Sequence, residues 1–171
     1  MFKRGVSPVV ATVLLLVLTV AIAGVIFSVV LPFVSKSLGN SKACLDVLDG
    51  AEFPESRFNC YTVVTSTNPS ETGFSIKLNK DEISGFRVSL LDSNGNSDVY
   101  DIKEGVVNPK LKMVAGTYGN LLEFPSVGGQ RTYVSNKNYI NAEISPIAKT
   151  GEICAVSDVL EFAPCAGDVV F

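Results

Sequence analysis

Lys3-Arg4-Gly5-Val6-Ser7-Pro8-Val9-Val10 opens a stretch that carries no further charge until Lys36, and the residues from Val9 to Val34 are overwhelmingly aliphatic. An amphipathic helix of a soluble domain alternates apolar and polar faces, and this run does not. About 30 residues at ~1.5 Å each give a helix of about 45 Å, more than the ~30 Å hydrocarbon core of a bilayer. The reading is therefore a membrane-competent helix over residues 6–36, behind a basic pair. Ser7 serves as its N-cap, and Pro8 takes the first helical position, where the missing N–H costs nothing.

Working outward, the rest of the chain has a different character. All 17 acidic residues lie at or after Asp46, whereas Lys3, Arg4 and Lys36 belong to the N-terminal segment. The portion after the helix is mildly acidic, water-soluble and of a size to bury one core. No basic patch with interleaved aromatics is present, so nucleic acid is not an expected partner. Histidine is absent, which removes the commonest general base and metal ligand and argues against an enzyme.

Three treatments of the N-terminus compete. A secretory signal peptide would be cut near Ala21-Ile22-Ala23, but this would leave Gly24 to Val34 as a strongly apolar mature terminus. A plain uncut anchor explains the apolarity but not the excess length. In the third reading the chain resembles archaeal type IV pilins, relatives of the archaellins, on Lys3-Arg4-Gly5-Val6-Ser7-Pro8-Val9-Val10 and the long apolar helix behind it. That resemblance implies a prepilin leader, residues 1–5, removed by a prepilin peptidase between Gly5 and Val6. It covers about 35 residues. The bacterial branch has an acidic residue five positions after the cut, where this chain has Val10, so a register mechanism through a buried carboxylate is not carried over.

Within the helix, Ala21, Gly24 and Ser28 recur at spacings of three and four, a small-xxx-small pattern that permits close helix approach or simply reflects the composition of membrane helices. Pro32 removes a backbone bond and disfavours helical geometry at Leu31, which predicts a kink or stop, or only a final-turn proline. Residues 37–43, with Ser37, Gly39, Asn40 and Ser41, read as a flexible linker.

From residue 44 the pattern becomes period-two. Phe74, Ile76 and Leu78 alternate with polar residues, as do Phe86, Val88 and Leu90, and Ile140, Ala142 and Ile144, which marks half-buried strands. Asp92-Ser93-Asn94-Gly95-Asn96 predicts a hairpin between 86–91 and 98–102. The fold class is α+β: a long apolar transmembrane helix, then an all-β sandwich over 44–171 with about seven strands. An immunoglobulin-like topology is what the resemblance implies.

Cys44, Cys60, Cys154 and Cys165 all come after the helix. The favoured pairing is local, Cys44 with Cys60 and Cys154 with Cys165, because each pair flanks a proline-bearing stretch; crossed pairing requires the two ends of the head to meet. Neither gap has C-x2-4-C spacing, so no metal or other cofactor is expected. Disulfides put the head outside the cytoplasm. The acids at Asp81-Glu82 and from Asp98 to Glu104 lack EF-hand spacing and read as solvated carboxylates.

The resemblance thus implies a structural subunit that sits in membrane lipid, meets the prepilin peptidase and assembly machinery, and self-associates through its helix into an extracellular filament. The alternative is a single-pass anchored binding module or minor pilin that stays outside the bulk filament.

Overall fold

The computed structural model describes residues 8–63, 69–166 and 169–171. Two compact units divide the chain, Met1–Lys42 and Ala43–Phe171.

The first described residue of the helix is Pro8. Helix α1 runs over Pro8–Val25, a π-helical turn over Ile26–Val30, and helix α2 over Leu31–Asp46. The π turn has a cause in the sequence. Pro32 has no N–H to give to Ser28, and its ring crowds that carbonyl, so the preceding turn widens: the Leu31 N–H bonds back to the Ile26 carbonyl, five residues earlier. Pro32 therefore neither stops the helix nor sits harmlessly in a final turn.

The flexible linker expected at 37–43 is a correction, because all of these residues are helical within α2. Ser41 satisfies its hydroxyl on the Ser37 carbonyl at 3.0 Å. The weak propensities of Ser, Gly and Asn are overridden because the last turn is fastened into the head unit, where Ala43 and Cys44 pack against the core and Val47 is fully buried. Beyond it, Lys80 Nζ caps the helix end by bonding the Asp46 and Leu48 carbonyls at 3.2 and 2.6 Å, a cation where the helix dipole is negative.

The head unit has ten strands among its described residues: β1 (Ala51–Glu52), β2 (Cys60–Tyr61), β3 (Thr72–Leu78), β4 (Ile83–Leu91), β5 (Ser97–Lys103), β6 (Leu111–Met113), β7 (Gln130–Ser135), β8 (Asn141–Ala148), β9 (Asp158–Glu161) and β10 (Ala163–Pro164). They make two sheets, one in the order β10-β2-β3-β7-β6 with β1 also on β3, the other β5-β4-β8-β9. All pairings are antiparallel except β10 with β2. The alternating residues form the shared core: Phe74, Ile76 and Leu78 from one sheet meet Phe86, Val88, Leu90, Ala142 and Ile144 from the other, with Tyr133, Tyr139 and Leu111 filling between. Ile140 is the exception in its run. It precedes β8 and is exposed.

The hairpin forms as the turn chemistry requires. Asp92 Oδ1 accepts from the amides of Asn94 and Asn96 at 2.8 and 2.9 Å, and Gly95 takes φ +83°, a conformation that suits glycine.

The local disulfide pairing is overturned. The bridges are Cys44–Cys154 and Cys60–Cys165, with sequence separations of 110 and 105. The physical reason is the one parallel strand pair: β10 lies beside β2 with Ala163 opposite Cys60, and the Cys165 amide bonds the Tyr61 carbonyl at 2.9 Å. The two ends of the head meet, and proline-bearing stretches inside each local gap had no bearing on the partners.

Candidate functional site

The helix surface is the outstanding chemical feature. No residue of α1 or α2 is buried, and Pro8–Asp46 is long and apolar enough to cross a membrane. Leu14, Leu15, Leu18, Phe27, Val29 and Phe33 all stand exposed, Phe33 at 73%. Fully burying one such side chain is worth about 1.5–3 kcal/mol, so a row of them is incompatible with water on every side.

Within its apolar stretch, up to Val34, the hydroxyls are already satisfied. Thr12 and Thr19 donate their hydroxyls to the Val9 and Leu16 carbonyls at 2.9 and 2.8 Å, and Ser28 to Val25 at 3.3 Å. Hydroxyls turned back onto their own helix carry no desolvation penalty into an apolar medium.

Of the residues singled out in the sequence, Lys3, Arg4, Gly5, Val6 and Ser7 lie outside the described residues. Ala21 and Gly24 are on one exposed face of α1, and apart from the helix's own adjoining backbone nothing stands within 4 Å of where a Gly24 β-carbon would be. Ser28 falls in the π turn, so the regular 3.6-residue periodicity that groups it with the other two is broken between Gly24 and Ser28.

Two polar clusters in the head go beyond the sequence reading, in which Asp98 belonged only to a run of solvated carboxylates. Glu71 and Lys112, both under 10% exposed, form an ion pair of 2.9 Å. Tyr118 Oη donates to Glu71 Oε1 at 2.7 Å, and the Lys112 ammonium also bonds the Phe171 carbonyl at 3.3 Å and lies 4.9 Å from the Tyr118 ring centre. Burial, then the bond to Glu71, pushes the Tyr118 phenol well above its ordinary range. Glu71 and Lys112 stand 41 positions apart in the sequence, with no pattern that joins them; β7, between β3 and β6, brings them together.

In the second cluster, Asp98 Oδ2 accepts from Lys137 Nζ and Tyr139 Oη, each at 2.8 Å, and Tyr139 shares a 3.1 Å hydrogen bond with Tyr100. The Lys137 and Tyr139 bonds hold the Asp98 carboxyl below the usual carboxylate range, and burial pushes the Tyr139 phenol up.

Among the described residues no group of three or more Cys, Asp or Glu side chains is placed to hold a metal ion. A groove of about 410 Å³ lies between Arg57, Phe58, Val114, Ala166, Val169 and Val170. No protein-family model matches the sequence, and no curated protein matches it.

Proposed function

We propose that this chain is the structural subunit of an archaeal type IV pilus-like surface filament, held in the membrane by its helix before assembly and built into a helical core afterwards. The observation that carries the reading is the exposed apolar stretch of the helix from Pro8 to Val34, with Thr12, Thr19 and Ser28 each bonded back to its own backbone. Such a helix needs apolar neighbours and asks nothing of them in hydrogen bonding, so lipid and further copies of itself both satisfy it. Ala21 and Gly24 allow close approach of a neighbouring copy. Two disulfides in the head fit an oxidising exterior, and an immunoglobulin-like arrangement of the two sheets is part of this proposal. The filament partners are the chain itself, a prepilin peptidase and an assembly machinery.

The test is Gly5→Leu. A bulky residue beside the scissile bond blocks leader removal, while the helix from Pro8 onward is untouched. Uncut chains keep Lys3 and Arg4 at the terminus that would enter an apolar core, which is strongly unfavourable. The expected result is a membrane-retained precursor and no filaments in electron micrographs of sheared surface material. Wild-type protein whose mature form retains residues 1–5, by mass spectrometry, would favour an uncut single-pass binding module instead.

A further inference from the structure

The crossed bridges divide the head in a particular way. Residues 44–60 and 154–165 run between like ends of the two bridges, Cys44 with Cys154 at one end and Cys60 with Cys165 at the other, and so close a covalent ring. On this ring lie β1, β9, β10 and the first residue of β2. The strands from β3 to β8 belong to the chain that leaves the ring at Cys60 and returns to it at Cys154.

We propose that this ring is the tension element of the head. A pull that enters through α2 and leaves through the C-terminal segment passes along two covalent routes in parallel: across Cys44–Cys154 and on through 154–171, or through 44–60, across Cys60–Cys165 and on to Phe171. Neither route includes a strand from β3 to β8, so the ladders that build most of the two sheets are not stretched. The two arms are also laced to each other. Asp158 Oδ2 accepts from the Phe53 amide at 2.8 Å, Ser157 Oγ bonds the Ala51 carbonyl at 2.8 Å, and β10 pairs in parallel with β2. Parallel pairing is the arrangement that crossed bridges demand, because the two arms run in the same sense.

The routes are redundant. At ~3.5 Å per extended residue, the path from Cys154 to Phe171 is about 60 Å, and the path by way of Cys60 is about 80 Å. With both bridges open the whole head, about 130 residues, would pay out about 450 Å. This property is independent of filament formation: it holds equally for a single anchored copy under load.

The experiment holds the full chain in detergent with handles at both ends and measures contour length under force. The oxidised chain should extend its head path to no more than about 60 Å, as β9 and β10 peel from β8 and β2, with no further release from the strands β3 to β8. Adding reductant to the same molecules should lengthen the release by about 390 Å. Cys44→Ser/Cys154→Ser and Cys60→Ser/Cys165→Ser should each stay within about 20 Å of the oxidised wild type, and the fourfold variant should match the reduced chain. These lengths count covalent path and are unaffected by whether a variant folds. A release much beyond these lengths from the oxidised chain or from either single-bridge variant, which would mean that β3 to β8 had unravelled, would overturn the proposal.

Discussion

The ring of Phe171 occupies the space in which a β-carbon on Gly73 would stand. Gly73 lies in β3, on the face that points away from Phe74 and the core, and the Phe58 carbonyl closes the same space from a second side. Phe171 also packs on Phe58, with ring centres 6.4 Å apart. Glycine is present here for close approach, since nothing else leaves room for an aromatic lid on a β-strand. Gly73→Ala should therefore destabilise the head by roughly 1–3 kcal/mol, as overpacking does. Phe171→Ala in the same chain should recover part of this loss, and a double-mutant cycle of melting curves reads the coupling. Strict additivity would mean that the two residues do not share the space.

Removing the cation from the buried pair should be costly. Lys112→Met leaves the Glu71 carboxylate with the Tyr118 hydroxyl but no opposite charge, and unpaired buried charges typically cost about 3–5 kcal/mol. Adding Glu71→Gln should return much of the stability. Denaturant midpoints of the two variants check the order, and a double variant weaker than Lys112→Met would contradict it.

Acid should act through Asp98. Because Lys137 and then Tyr139 bond its charged form, the folded-state pKa lies below the unfolded value. The stabilisation is thus complete above the ordinary carboxylate value of about 3.9 and is lost as pH falls through the lower folded value. Melting temperatures taken from pH 6 downward should fall less steeply for Asp98→Asn than for wild type. A residual slope is expected from Glu52, Asp92 and Asp101, whose carboxyls are also held low, by Lys77, Asn96 and Arg87 respectively. Identical slopes in both proteins would remove Asp98 from the account.

Non-reducing peptide maps should yield Cys44–Cys154 and Cys60–Cys165 linked fragments and no Cys44–Cys60 fragment. Opening the second bridge by Cys60→Ser/Cys165→Ser should cost about 2–5 kcal/mol, within the usual range for a native disulfide of a small domain.

Much of the architecture was legible because it rests on local periodicity. Phe74, Ile76 and Leu78 declared their strand by alternation, Asp92 to Asn96 declared its hairpin, and the uncharged run behind Pro8 declared its helix. The misreadings share a different cause. Cysteine pairing depended on β10 reaching β2, which brings together Cys60 and Cys165 from 105 positions apart, and no local pattern carries that information. Residues 37–43 have the composition of a linker, yet a helix already nucleated upstream and fastened at Ala43 and Cys44 extends through them. Of the candidate site, the apolar helix could be read directly, whereas the π turn, which takes Ser28 off the periodicity it would share with Ala21 and Gly24, needed the consequence of Pro32 to be traced one turn backward, to the Ser28 carbonyl. The Glu71–Lys112 pair gave no sign, since two charged residues 41 positions apart, one just before β3 and one in β6, look like ordinary surface.

The hydroxyls of Thr12, Thr19 and Ser28 set the terms on which the helix can change company. Each is committed to a carbonyl of its own turn, so moving the helix from fatty-acyl chains to a packed array of side chains makes and breaks no hydrogen bond. The exchange is then governed by how closely surfaces fit, a quantity that a single methyl group can shift. On the proposed filament reading, the helix would enter and leave a packed core with its own hydrogen bonding unchanged.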